Sequence, residues 1–209
     1  MRGSVESRLD EAAYWALDRE HLWHPYTRQA AMGSEPLPIL CRGAGVYLYD
    51  LQGRRYFDAI SSWWCCNLGH SHPRLVAAIQ RQAGVLQHSI LGNLSHPKAI
   101  ELASKICGLF PDPCRVIFAS DGASAVEAAL KIAAQYWHNV GRPERNRFAS
   151  LQGGYHGDTL GAVSVGYLEG FHAPFRPMLF PVFQAESPCC GTCRRGLTPD
   201  SCGLACFDS

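Results

Sequence analysis

The sequence predicts an α/β fold, and three observations carry that prediction. Strand-like and helix-like segments alternate beyond Pro97. An apolar run, Arg115 to Ala119, passes through a glycine turn straight into a helical stretch reaching Trp137. That stretch is apolar on most sides, as expected of a helix covered by a sheet and by other helices. Alternation of this kind argues for mostly parallel strands joined by crossover helices.

Taken in order, Ser7 to Glu20 reads as a helix, after which Pro25, Pro36 and Pro38 break the chain into an extended connector. Val46 to Asp50 and Arg54 to Asp58 flank a D-L-Q-G turn whose Gly53 suits a positive φ, which predicts a β-hairpin. A loop over Ser61 to His72 leads to two helices, Pro73 to Gly84 and Pro97 to Phe110, each opened by proline and apolar at helical spacing. The strand Arg115 to Ala119 follows. The next helix is expected to open at Ser124, with Glu127 three residues on completing a capping box, and Glu127, Lys131 and Gln135 form its polar stripe. A strand at Arg147 to Leu151 and a helix starting near Asp158 complete the pattern. No internal repeat interrupts it.

Composition bounds the function. With 209 residues, 47% of them apolar, and a net charge of +1, the chain can bury a core and has no electrostatic bias toward nucleic acid or membrane. The first thirty residues carry Glu6, Asp10, Glu11, Asp18 and Glu20 and no long apolar run, so a cytoplasmic protein is expected. Ten cysteines without an export signal read as reduced thiols. Cys41, Cys65, Cys66, Cys107 and Cys114 sit among apolar neighbours and are expected to be buried and inert. The others crowd a segment at 187–206, where Cys190, Cys193, Cys202 and Cys206 have the spacing of a tetrahedral thiolate zinc site; a loop of reduced thiols is the alternative, and no metal is assigned.

The turn before the long helix carries the chemistry. A strand that feeds a helix through D-G-A-S points unpaired backbone N–H groups outward, which makes Gly122, Ala123 and Ser124 the candidate phosphate cradle. Three further blocks stand in order around it: H-L-W-H-P-Y-T-R at 21–28, S-S-W-W-C-C-N-L-G-H-S-H-P at 61–73 and G-Y-H-G-D-T at 154–159. On these residues the chain, from about His21 onward, resembles the class III aminotransferases, which depend on pyridoxal 5'-phosphate (PLP). The W-H-P-Y-T and S-S-W-W blocks resemble the biotin-pathway branch of that family.

The resemblance implies a PLP-dependent transferase of fold type I. Residues 1–65 would contribute to its small domain and residues 66–209 would form the first part of its PLP-binding large domain. It implies that Gly122 and Ala123 hold the phosphate, with Ala123 lacking the hydroxyl usual in the family. Tyr155 would lie over the cofactor ring and the substrate. Trp63 would line the substrate channel, and Tyr26 would recognise 8-amino-7-oxononanoate and stack on the adenine of S-adenosyl-L-methionine. His156 is read as structural, and Asp158 as either a helix cap or part of a polar network. The only lysines, Lys98, Lys105 and Lys131, lie on amphipathic helices, so none is expected to form the Schiff base with PLP. The chain is therefore expected to be the N-terminal half of a homodimeric enzyme and to be inactive alone. An aminotransferase for other ω-amino acids and a non-catalytic or metal-binding remnant are the competing readings.

Overall fold

The computed structural model describes residues 10–31, 37–189, 191, 193 and 195–207. The chain divides into two compact units, Met1–His96 and Pro97–Ser209. Among the described residues no helix is long and apolar enough to cross a membrane.

In the first unit, α1 (Glu11–His21) is capped by Asp10, whose side chain accepts from the Ala13 N–H at 2.7 Å. The sequence-based start at Ser7 lies outside the described residues. The expected hairpin forms as β2 (Tyr47–Asp50) and β3 (Arg55–Phe57), joined through Gly53 at φ 79°. A strand that the sequence hides, β1 (Leu40–Ala44), pairs antiparallel with β2. Its L-C-R-G-A run lacks the apolar alternation by which strands are recognised. The turn is fixed by Asp50, 2% exposed, which accepts from Arg54 Nε at 2.6 Å, Tyr56 Oη at 2.8 Å and the backbone N–H groups of Arg54 and Gln52. Burial pushes the Asp50 carboxyl up, and the hydrogen bonds from Arg54 and Tyr56 outweigh it, holding the group below its ordinary value.

After the hairpin the chain makes α2 (Ser61–Trp64), a single turn of the opposite hand to every other helix. Ser61, Ser62, Trp63 and Trp64 have φ of 50°, 47°, 60° and 65°. For L-residues this costs roughly 1–2 kcal/mol each, so the turn persists only where surrounding bonds impose it. Helix α3 (Pro73–Ala83) begins with proline as the sequence predicts.

The second unit starts with α4 (Pro97–Cys107) and continues to α5 (Gly122–Asn139). Strands β4 (Phe148–Leu151) and β5 (Val182–Ala185) pair in parallel; between them lie α6 (Leu160–Val165) and α7 (Glu169–His172). Helix α6 is the buried centre: Gly161 to Val165 are all buried, and its small side chains permit the close packing.

Several sequence expectations are corrected. The run Arg115 to Ala119 belongs to no strand, because a strand exists only where a ladder forms and, among the described residues, β4 pairs with β5 alone in this unit. Mostly parallel pairing holds for this unit only; the first unit's sheet is antiparallel. Cys107 and Cys114, expected as reduced thiols, are bonded to each other, since the chain doubles back after α4 and brings their Cα atoms to 5.5 Å. Cys41 and Cys65 are exposed and Cys66 half-buried, because apolar sequence neighbours on a sheet edge or a tight turn do not bury a thiol.

Candidate functional site

Helix α5 starts earlier than its sequence suggests. Its cap is Asp121, not Ser124: the Asp121 carboxylate accepts the Ser124 N–H at 2.8 Å and the Ser124 hydroxyl at 2.8 Å. These bonds, the backbone one first, hold the Asp121 carboxyl below its ordinary value, and the Ala123 N–H contributes to the same effect. The missed signal is Asp three residues before Ser, an N-cap spacing as good as Ser124 with Glu127.

In front of the helix the space is open at Gly122, where an added Cβ would meet nothing within 4 Å. At Ala123 it is filled. The G-Y-H-G-D loop passes so close that a Cβ on Gly157 would sit 2.4 Å from the Ala123 Cβ and 2.7 Å from its Cα. Gly157 also has φ of 119°, so only glycine suits the approach. The candidate phosphate turn and the G-Y-H-G block, 34 residues apart in sequence between Ala123 and Gly157, are thus in contact.

Tyr155 leads that loop with its ring largely exposed, and its hydroxyl donates to Asp158 Oδ2 at 2.6 Å. Asp158 in turn faces the buried His172, whose Nε2 lies 3.9 Å from Oδ1. Of the two readings open for Asp158, the helix cap is not formed, since the N-cap of α6 is Thr159. The start of α6 is satisfied instead from α5. Glu127 accepts the Gly161 N–H at 2.7 Å, and hydrogen bonds from the Thr159 side chain and then from the Gly161 and Ala162 backbone lower its carboxyl below the ordinary value. Glu127 therefore caps a different helix from the one that carries it. His156 is exposed on the loop.

The first unit holds the other two candidate aromatic residues, Tyr26 and Trp63. Tyr26, at φ 54°, and Trp63 approach with ring centroids 5.4 Å apart and planes tilted by 45°. Trp63 and Trp64 stand edge to face, centroids 6.4 Å apart at 88°. Tyr26 is 70% and Trp63 55% exposed.

The lysines occupy the roles expected of surface helices: Lys98 Nζ pairs with Glu101 at 2.8 Å, Lys105 ends α4 and Lys131 lies on α5 beside Glu127. Near the C-terminal end Cys189, Cys193, Cys202 and Cys206 line a cavity of about 220 Å³ together with Glu186 and Arg195. Cys190 lies outside the described residues. Among the described residues no group of three or more histidines, cysteines or carboxylates is placed to hold a metal.

The sequence profile of the family described as Aminotransferase class-III matches residues 29–199. The adenosylmethionine-8-amino-7-oxononanoate aminotransferase of Geobacter sulfurreducens is 39% identical over 192 residues, covering 91% of this chain and 42% of that protein. The protein of the same name from Aquifex aeolicus is 42% identical over 181 residues, 86% of this chain and 40% of its own length. The chain thus spans about two fifths of these relatives. Among solved structures, that of the adenosylmethionine-8-amino-7-oxononanoate aminotransferase from Methanocaldococcus jannaschii superposes with a TM-score of 0.82 at 41% identity, over 86% of this chain and 41% of that one. A thermostable (S)-enantioselective omega-transaminase from Thermomicrobium roseum gives 0.83 at 32% identity, over 92% and 43%.

Proposed function

We propose a function from one premise: the chain belongs to the class-III aminotransferase family. In a protein of the relatives' length, these residues form the N-terminal part of an enzyme of biotin biosynthesis. It transfers the amino group of S-adenosyl-L-methionine to 8-amino-7-oxononanoate, giving 7,8-diaminononanoate. The observation that carries this reading is the Tyr26–Trp63 ring contact, formed between the two sequence blocks particular to that branch. An ω-amino-acid transaminase is the rival, favoured by an equal structural likeness; the higher identity to the relatives named for adenosylmethionine supports the first reading.

The residues of the second unit fit PLP. The open space before Gly122, at the start of an 18-residue helix, suits an anion held by backbone N–H groups of Gly122 and Ala123. A phosphate there competes with Asp121 for the Ala123 N–H. When bound, PLP supplies the electron sink for amino transfer. Tyr155 orients the ring by its face, with its hydroxyl anchored on Asp158. In the first unit, Tyr26 and Trp63 stack on the adenine and exclude water from the aliphatic chain of the acceptor. Lys98, Lys105 and Lys131 take no part. The proposed architecture assigns 1–65 to the small domain and 66–209 to the large, PLP-binding domain of a cytoplasmic homodimer. Its partners are small molecules and a second copy of the chain.

Two measurements test the reading. Pyridoxal, which lacks the phosphate, should bind this chain at least roughly tenfold more weakly than PLP; equal affinity would remove the cradle. In a protein of the relatives' length, turnover with adenosylmethionine should far exceed turnover with ω-amino acids and pyruvate. The reverse order would leave only the family assignment.

A further inference from the structure

Besides backbone bonds at its ends, the left-handed turn Ser61–Trp64 is gripped by one side chain. Asp58, at the end of the hairpin, has a side chain only 6% exposed, and both its oxygens are engaged. Oδ1 accepts the Ser62 N–H at 2.9 Å, and Oδ2 accepts the Ser62 hydroxyl at 2.7 Å and His70 Nε2–H at 2.7 Å. Together these bonds grip the second residue of the turn by both its backbone and its side chain. His70, 12% exposed, is itself fixed. Its backbone N–H and carbonyl exchange hydrogen bonds with Gly45 at 2.7 and 3.1 Å, and its ring rests on Gly43 of β1, where a Cβ would come within 2.6 Å of the His70 Cβ. The Ser71 hydroxyl donates to the Gly43 carbonyl at 2.8 Å. The hairpin sheet thus holds His70, His70 holds Asp58, and Asp58 holds the turn.

The turn's load is aromatic. Trp63 and Trp64 lie on its second half, and its handedness sets their edge-to-face arrangement and turns Trp63 toward Tyr26. A turn of ordinary hand would point both indoles elsewhere, since the side-chain direction of every residue follows its φ and ψ. A strained backbone clamped by buried polar groups and bearing exposed aromatic faces is an arrangement found where a ligand wall must be preorganised. Ser62 donors and His70 Nε2–H favour the ionised carboxylate, whose value they lower to about 2, the Ser62 backbone bond contributing most.

We propose that Asp58 and His70 are positioning residues: Asp58 locks the left-handed Ser61–Trp64 turn through Ser62, His70 secures Asp58, and together they set the Trp63 ring against Tyr26. Neither touches a ligand. That Trp63 belongs to the substrate wall rests on the function proposed above, whereas the locking of the turn does not.

Circular dichroism of the chain tests the lock without any turnover. Two indoles at this distance and angle give an exciton couplet, which Trp64→Phe should abolish and so assign. Asp58→Asn keeps one acceptor oxygen, so it can receive the Ser62 N–H or the Ser62 hydroxyl with His70 but not all three, and should lose most of the couplet while the amide shifts of Leu48 and Tyr49 in the hairpin stay in place. Ser62→Ala, a milder change, should lose part of it. Adding Ser62→Gly to Asp58→Asn should restore part, because glycine takes the left-handed conformation unaided. An undiminished couplet in folded Asp58→Asn overturns the proposal; if that variant does not fold, an undiminished couplet in both Ser62→Ala and His70→Gln overturns it equally. In a protein of the relatives' length, Asp58→Asn should raise KM for the amino acceptor roughly tenfold with kcat little changed. A lost couplet with unchanged KM would keep the lock and refute the role of Trp63 in the substrate wall.

Discussion

Replacing Gly157 by alanine tests the contact between the phosphate turn and the G-Y-H-G loop. Two costs add. The φ of 119° lies where residues with a Cβ are sparse, at about 1–3 kcal/mol. The new methyl would sit 2.4 Å from the Ala123 Cβ and 2.7 Å from its Cα, so backbone must shift, and overpacking of this kind costs about 1–3 kcal/mol. The sum is about 2–6 kcal/mol, a factor of roughly 30 or more in a local opening equilibrium. Native-state amide hydrogen exchange reads that equilibrium directly. The useful reporters are Val163 and Gly166, whose N–H groups donate to Thr159 and Ala162 at 2.8 and 2.9 Å within the buried α6. Their protection should fall by roughly 30-fold or more in Gly157→Ala. Adding Ala123→Gly should recover part of it, since the shortest overlap is then gone while the clash with the backbone of residue 123 remains. Protection within about twofold of the parent in Gly157→Ala would show that the loop yields freely and that the two motifs do not constrain each other.

Three other outcomes are expected. Asp121→Asn should strengthen PLP binding a few-fold, measured by titration, because it removes a like charge from the helix end proposed to hold the phosphate. On acidification the Trp63–Trp64 couplet should persist to unusually low pH. The Asp58 value is depressed from 3.8 to about 2, so its contribution is complete above about 4 and disappears as pH falls through about 2. Finally, the isolated chain should self-associate at micromolar concentration in a sedimentation experiment, because Leu75 and Ile79 of α3 and Phe183 of β5 are exposed apolar side chains.

Much of the fold could be read from local signals. Proline at the first turn marks α3 and α4, and the D-L-Q-G turn marks the hairpin, because each rests on a residue whose backbone preference is strong. The failures share a cause as well. Arg115 to Ala119 has the composition of a strand, but composition does not supply a pairing partner. The cap of α5 was misplaced because Ser124 with Glu127 has the spacing of a capping box, and only the fold gives the cap to Asp121 and commits Glu127 to α6. The candidate cradle and the G-Y-H-G block were legible as motifs; their mutual approach was not, since it depends on a glycine whose neighbour is distant in sequence. Least legible was the hand of the Ser61–Trp64 turn. Nothing in S-S-W-W favours a left-handed backbone, which is imposed by Asp58 and His70 from outside the segment.

The Glu127 carboxylate joins two parts of the second unit thermodynamically. It rides on the helix whose first turn carries the proposed anion site, yet its hydrogen bonds end on Gly161 and Thr159, at the head of the helix after the Tyr155 loop. The head of α6 is therefore held by a side chain of α5. An anion bound at the proposed cradle would be linked to the order of Thr159 by whatever coupling Glu127 carries, equally in both directions.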